Sequence, residues 1–114
     1  MIYEGLEYTS NGDGTCYISG YEGDHDALNI PTSSPKGDIV IGIGEDAFSS
    51  NPYIEQVFIP DTITSIGPNA FNNSINITSI VIGNNVTEIG DYAFFNCNIL
   101  ESIVIPNKVT SIGT

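Results

Sequence analysis

The sequence predicts a β-dominant solenoid in which short parallel strands stack in register behind an N-terminal β-hairpin cap. Three observations support this fold class: a hexapeptide that returns every 23 residues, apolar positions that align between copies without a gap, and a hairpin signal near the N-terminus. The hexapeptide occupies Ile43–Phe48, Ile66–Phe71 and Ile89–Phe94, and Ile112 and Gly113 begin a further copy. Since one coil of this length cannot bury its own apolar face, neighbouring coils must stack into a continuous core.

The N-terminal segment predicts the cap. Leu6–Thr9 and Thr15–Ser19 flank a turn rich in Asn and Gly, residues that accept the positive φ angles of a tight hairpin. Ala27–Asn29 then aligns with the strand of the later copies, and residues 32–38 have the composition of an exposed loop. We therefore divide the chain into residues 1–31, the β cap with the first repeat strand, and residues 32–114, the 23-residue repeats with a truncated last copy.

Within each repeat, four further apolar columns recur at the same interval. They are Ile54, Ile77 and Leu100; Val57, Ile80 and Ile103; Ile59, Ile82 and Ile105; and Ile63, Val86 and Val109. The constant spacing predicts parallel strands that pair in register with the coils above and below. Because side chains alternate across a strand, the outer two residues of an apolar-x-apolar strand point inward and the middle one points outward.

The remainder of each coil closes the circuit. A second short extended piece, such as Ile63–Ile66, is followed by a glycine that we expect to turn a sharp corner. The Ala-Phe segment is expected to form a single helical or 3₁₀ turn. Phe48, Phe71 and Phe94 should form a buried aromatic ladder, each ring contributing roughly 1.5 to 3 kcal/mol through burial.

The repeat resembles the BspA-type (treponemal) leucine-rich repeat, whose unit has about this length and carries the Ala-Phe-x-x-Cys segment present at Ala93–Cys97. The resemblance is strong over residues 39–114, and the segment before it resembles the cap that precedes such repeats. It implies an α/β-type leucine-rich-repeat solenoid, here β-dominant, with about three repeats. It also implies protein binding and adhesion by a secreted or cell-surface protein.

The charge balance excludes some partners. Fourteen acidic residues against Lys36 and Lys108 give a formal net charge of −12, which argues against nucleic acid because phosphate binding needs clustered Lys and Arg. An anionic membrane surface is disfavoured for the same reason. The charge is typical of a solvating surface, and recognition of a basic partner or a divalent cation is the alternative.

The ends of the chain carry further expectations. No apolar run reaches the length of a membrane span, and the first residues lack the pattern of a signal peptide. The sequence stops partway into a repeat, so we expect a fragment of a longer protein whose uncapped last coil can self-associate.

The sequence offers no set of residues for catalysis, a cofactor or a metal site. His25 is the only histidine, and nucleophilic catalysis needs a base held beside an activated Ser or Cys. The segment Glu22–Asp26 could hold a cation, although it supplies fewer ligands than zinc or calcium usually takes. Glu45 and Asp46 form a local acidic pair with no predicted cleft. We therefore predict a non-enzyme and leave the cation at Glu22–Asp26 open.

The outward face of the strand ladder is the candidate binding surface. Its residues are Gln56, Phe58, Ser79, Val81, Ser102 and Val104. A row of exposed apolar residues can mark a protein-interaction surface, although such residues also favour strands by packing along the ladder. A carbohydrate-binding surface is the alternative, with stacking platforms from Tyr3, Tyr8, Tyr17, Tyr21 and Tyr53. The third possibility is a structural cap and spacer for repeats beyond Thr114.

Overall fold

The structure is a computed structural model that describes residues 5–23, 26–97, 99–100, 102–104, 106, 108–109 and 111–113. The described part contains strands joined by turns, and no helix. The strands are β1 (Leu6–Ser10), β2 (Thr15–Tyr21), β3 (Ala27–Asn29), β4 (Ile39–Ile43), β5 (Gln56–Phe58), β6 (Ser65–Ile66), β7 (Ser79–Val81), β8 (Glu88–Ile89), β9 (Ser102–Val104) and β10 (Ser111–Ile112).

Two sheets run the length of the stack. The larger has the order β1-β2-β4-β6-β8-β10, and the smaller has the order β3-β5-β7-β9. β1 and β2 pair antiparallel, and the other pairs of neighbouring strands are parallel. This arrangement confirms the predicted β-dominant solenoid with a hairpin cap. The hairpin is continuous with the repeats, because β2 pairs directly with β4.

The register follows the repeat. In the smaller sheet Leu28, Val57, Ile80 and Ile103 lie on successive rungs; in the larger sheet Ile18, Ile43, Ile66, Ile89 and Ile112 do the same. In the first column the residues up to Ile80 are buried, and in the second column the residues up to Ile89 are buried. The space between the two sheets is therefore one continuous core.

The aromatic ladder confirms the strongest prediction from the repeat. The ring centroids of Phe48 and Phe71 lie 5.2 Å apart with planes 7° from parallel, and those of Phe71 and Phe94 lie 5.7 Å apart at 8°. Tyr21 of the hairpin continues the file at 5.6 Å from Phe48, tilted by 53°. The cap thus covers the first ring of the file with an aromatic side chain.

The expectation of a helical turn at the Ala-Phe segment was wrong. Asp46 and Ser50, which flank Ala47 and Phe48, have φ angles of 59° and 56°, in the left-handed region. The Phe48 amide donates to the carbonyl of Ala70 in the next coil at 2.7 Å. The amides of Ala47 and Ser49 donate within the segment, to the carbonyls of Gly44 and Asp46 at 3.2 Å each, and the alternate amides bond to the next coil. The segment therefore forms consecutive tight turns with left-handed residues, and not a continuous helical or 3₁₀ turn.

The repeat glycine also has a different role from the one expected. Gly67 and Gly90 are absent from the left-handed region that Gly5, Gly12, Gly14 and Gly37 occupy. A Cβ atom on Gly67 would lie 2.9 Å from the Glu45 nitrogen. One on Gly90 would lie 2.5 Å from the nitrogen of Pro68. Glycine is therefore needed because the backbones of successive coils approach closely at this corner.

Candidate functional site

The outer face of the smaller sheet brings together the six residues that the sequence singled out. Parallel pairing places Gln56, Ser79 and Ser102 on one set of rungs. The same pairing aligns Phe58, Val81 and Val104 in a second column, with Asn29 of β3 on the preceding rung. Neighbouring rungs in a sheet are about 4.8 Å apart. We call the column Phe58–Val81–Val104 the apolar column.

Side-chain exposure distinguishes the two faces of this sheet. Phe58 is 39% exposed and Val81 is 53% exposed, whereas Val57 and Ile80, between the outward residues of the same strands, are buried. Gln56 is exposed and Ser79 is half-buried. Phe58 and Val81 therefore present hydrophobic surface to solvent on a sheet whose other face is core.

Hydrogen bonds between coils hold the ends of these strands. The amides of Glu55 and Gln56 both donate to the carbonyl of Asp26, at 2.7 and 2.9 Å. At the other end, the Ile59 amide donates to the Val81 carbonyl at 2.8 Å. Because the backbone is hydrogen-bonded at both ends of β5, Phe58 projects from a fixed frame, as a binding surface requires.

Exposed acidic residues lie next to the ends of the strands that carry the apolar column. Asp26 and Glu55 precede β3 and β5, and both are exposed. Asp61, which follows β5 by three residues, is also exposed, and its carboxylate accepts a 2.9 Å hydrogen bond from the Asn84 amide. We call Asp26, Glu55 and Asp61 the acidic rim.

The tyrosines proposed as sugar platforms do not form one surface. Tyr21 is buried against Phe48. The Tyr17 ring lies over Gly44, where an added Cβ would meet its Cδ2 at 3.0 Å. Tyr8 is half-buried, and burial raises the pKa of its hydroxyl. These rings pack on the cap, and their positions leave little open ring face for a sugar.

Other aromatic residues are more exposed. Tyr53 is 55% exposed, and Tyr3 lies outside the described residues. The sequence analysis passed over Tyr92 and Phe95, which form an exposed edge-to-face pair with centroids 5.4 Å apart. Their signal was available, because Phe95 stands in the repeat column that Asn72 occupies in the preceding copy.

The cysteines are free and poorly suited to nucleophilic chemistry. Cys16 is buried beside a pocket of about 210 Å³ between the hairpin and the loop of residues 32–38, and Cys97 is half-buried. Burial raises the pKa of both thiols. Since the thiolate is the reactive form, these groups stay protonated and unreactive near neutral pH.

The cation hypothesis at Glu22–Asp26 falls partly outside the described residues, because Asp24 and His25 are not among them. Elsewhere in the described ranges, no group of three or more His, Cys, Asp or Glu residues is placed to hold a metal ion. No helix in the described part has the length and apolar character needed to cross a membrane.

Residues 33–114 match the family model described as BspA type leucine rich repeat region, with six copies. No curated protein sequence matches the chain. Among solved structures, a leucine rich cell surface protein of Faecalibacterium prausnitzii superposes with a TM-score of 0.85 at 33% identity, covering 98% of this chain and 32% of that protein.

Two further structures show the same likeness. A leucine-rich repeat protein of Bacteroides ovatus has a TM-score of 0.85 at 30% identity, covering 99% of this chain and 31% of that one. A leucine-rich repeat protein of Bacteroides capillosus has a TM-score of 0.85 at 27% identity, and the match covers 96% of this chain and 83% of that protein. The chain thus spans about a third of the F. prausnitzii and B. ovatus proteins.

Proposed function

The chain belongs to the BspA-type leucine-rich repeat family, and we propose that it is a non-catalytic protein-binding and adhesion module of a secreted or cell-surface protein. Proteins of this family generally serve as protein-interaction modules. The surface location is supported by the likeness to a cell surface protein of F. prausnitzii. We keep the division into residues 1–31 and 32–114 as part of this proposal, because the family match begins at residue 33.

The apolar column is the observation that carries the proposal. Gln56, Phe58, Ser79 and Val81 lie on two adjacent strands, and Phe58 and Val81 are exposed on neighbouring rungs. Exposed apolar surface on a rigid sheet favours contact with another protein, since burying it releases about 25 cal/mol per Å². Ser102 and Val104 extend both columns by one rung.

The proposal is tested by measuring how tightly variants of the apolar column bind purified host matrix proteins. Phe58→Ser and Val81→Ser remove apolar surface from the proposed face, and Ile75→Ser removes it from an exposed turn elsewhere. We expect the first two variants to weaken binding at least about tenfold, equivalent to about 1.4 kcal/mol, and the third to leave it unchanged. Equal losses in all three would overturn the assignment of this face.

A glycan array provides the opposing measurement. Strong sugar binding that is lost in Tyr53→Ala, together with no binding to any matrix protein, would replace the proposed function with carbohydrate recognition. The placement of Tyr21 in the core and of Tyr17 over Gly44 supports the protein-binding alternative.

We also propose self-association through the two successive coils that contain β8 and β10. Tyr92, Phe95 and Ile112 are exposed there, and the Phe94 ring is half-buried at the end of the aromatic file. A second copy would cover this apolar surface. Light scattering over a range of concentrations should show a dimer that Phe95→Ser weakens; a monomer at every concentration would contradict this proposal.

A further inference from the structure

We propose that the partner segment bound on the apolar column is basic, carrying Lys or Arg near the apolar side chain that contacts Phe58. This inference rests on the proposed function, and it adds the chemistry of the partner. It is carried by the position of the acidic rim beside exposed apolar surface.

The acidic rim and the apolar column share a single backbone frame. The two amides that bond to the Asp26 carbonyl belong to Glu55 and Gln56, so the two rim residues Asp26 and Glu55 occupy adjacent rungs. Glu55 precedes Phe58 by three positions, and an extended chain advances about 3.3 Å per residue. A cation pairing with Glu55 would therefore lie about 10 Å from the contact with Phe58.

The few cations of the chain are engaged or placed elsewhere. The chain has two basic residues against fourteen acidic ones. The ammonium of Lys108 donates a 2.8 Å hydrogen bond to the Asn85 side-chain oxygen, and Lys36 lines the pocket beside the hairpin. The field of the acidic rim is therefore directed at solvent, where it attracts a basic segment and repels an acidic one.

Charge and apolar contact have separable effects on binding. Exposed ion pairs each contribute little to affinity and weaken as salt screens them. Rim charges mainly raise the association rate and select the partner, whereas burial of Phe58 and Val81 supplies affinity. We therefore expect salt to weaken binding without abolishing it, and loss of the Phe58 ring to weaken it at any salt concentration.

Fluorescence anisotropy with synthetic peptides tests this chemistry. Three labelled peptides would share a central apolar segment of two Val and one Phe and carry Lys, Ser or Glu on each side of that segment. We expect the Lys peptide to bind at least about tenfold more tightly than the Glu peptide at about 25 mM salt, with a smaller difference at about 300 mM. The Ser peptide should fall between them.

Matched variants locate the effect on the surface. The double variant Asp26→Asn with Glu55→Gln should reduce binding of the Lys peptide by about three- to tenfold and leave the Ser peptide unchanged. Glu88→Gln, which neutralises an exposed acid on the larger sheet, should change neither. Phe58→Ser should weaken both peptides.

The outcomes separate this inference from the function it rests on. Equal binding of the Lys and Glu peptides, with loss in Phe58→Ser, would overturn the basic partner and support the face. An effect of Glu88→Gln as large as that of the rim variant would overturn the inference, because general attraction to the net charge would explain it. If Phe58→Ser left the affinity for the peptides unchanged, the inference would be overturned as well. The same holds if the Lys peptide did not bind at about 1 mM.

Discussion

The hydroxyl of Ser74 donates a buried 2.8 Å hydrogen bond to the carbonyl oxygen of Phe48 in the preceding coil. One repeat later, the thiol of Cys97 donates to the Phe71 carbonyl at 3.2 Å. These residues share a repeat column with Asn51, whose amide donates to the Gly23 carbonyl at 3.3 Å. The small polar side chains of this column therefore fasten each coil to the one before it.

Removal of this bond should destabilise the stack. Ser74→Ala is expected to lower the free energy of unfolding by about 1 to 2 kcal/mol, because the buried Phe48 carbonyl loses a donor. Urea denaturation measures the change. The matched control is Cys97→Ser, which keeps a donor in the same column and should change stability by less than about 0.5 kcal/mol. A neutral Ser74→Ala would contradict this role for the hydroxyl.

Phe71, between two rings of the aromatic file, should contribute more to the free energy of unfolding than Phe94. Phe71 is fully buried between two rings, whereas Phe94 is half-buried with a described ring on one side. Phe71→Ala should therefore cost about 3 to 5 kcal/mol through cavity formation, and Phe94→Ala clearly less. Thermal or urea unfolding of the pair provides the comparison, and an equal or larger cost at Phe94 would be inconsistent with this geometry.

The close approach of successive coils predicts intolerance of a methyl group at the repeat glycine. Gly90→Ala would place a Cβ 2.5 Å from the Pro68 nitrogen, and we expect a loss of about 1 to 3 kcal/mol from the forced displacement of backbone. Gly42→Ala is the control, since its nearest contact would be the Ser65 hydroxyl at 3.2 Å. Equal tolerance at both positions would show that the coils can separate at this corner without penalty.

Substitution by glycine should have opposite effects on stability at two neighbouring serines, because only one of them has a left-handed backbone conformation. Ser50 has a φ of 56°, whereas Ser49 is not among the residues with positive φ. Because glycine adopts this region without a Cβ penalty, Ser50→Gly should raise the free energy of unfolding by about 0.5 to 1 kcal/mol. Ser49→Gly should lower it by a similar amount. The same sign for both changes in urea unfolding would refute the assignment.

The half-buried thiol of Cys97 gives the free energy of unfolding a pH dependence. Burial raises its pKa in the folded state above the value of about 8.5 for an exposed thiol. The unfolded chain therefore loses this proton first, so the thiol's contribution is complete below about pH 8.5 and is lost as pH rises through the folded pKa. Unfolding measured from pH 7 to 10 should show a decline that is smaller in Cys97→Ser. An identical decline in both proteins would assign it to other groups.

The repeat pattern was sufficient to predict which residues face the core. The inward and outward positions of Val57 and Phe58 follow from strand alternation, and the constant interval places their equivalents on the same rungs. The stacking of Phe48 on Phe71 follows from the same interval. A repeated sequence determines these features because each coil meets a nearly identical neighbour.

The turn geometry could not be read from the sequence. The Ala-Phe segment was expected to form a single helical or 3₁₀ turn, and the reason for glycine at Gly90 was expected to be a sharp corner. Both features depend on how closely coils approach and on which amides find partners in the next coil, as the bond from Phe48 to the Ala70 carbonyl shows. Those distances arise only when the coils are packed.

The sequence by itself determined the solenoid, its register, its inward columns and the identity of the outward face, because period and side-chain alternation are properties of the chain. The tertiary structure decided how β2 joins the repeats as a rung of the larger sheet, and that Asp26 lies beside Glu55 on the adjacent rung. These depend on contacts between residues distant in sequence, such as Asp26 and Glu55, which the backbone brings together only through hydrogen bonds between coils.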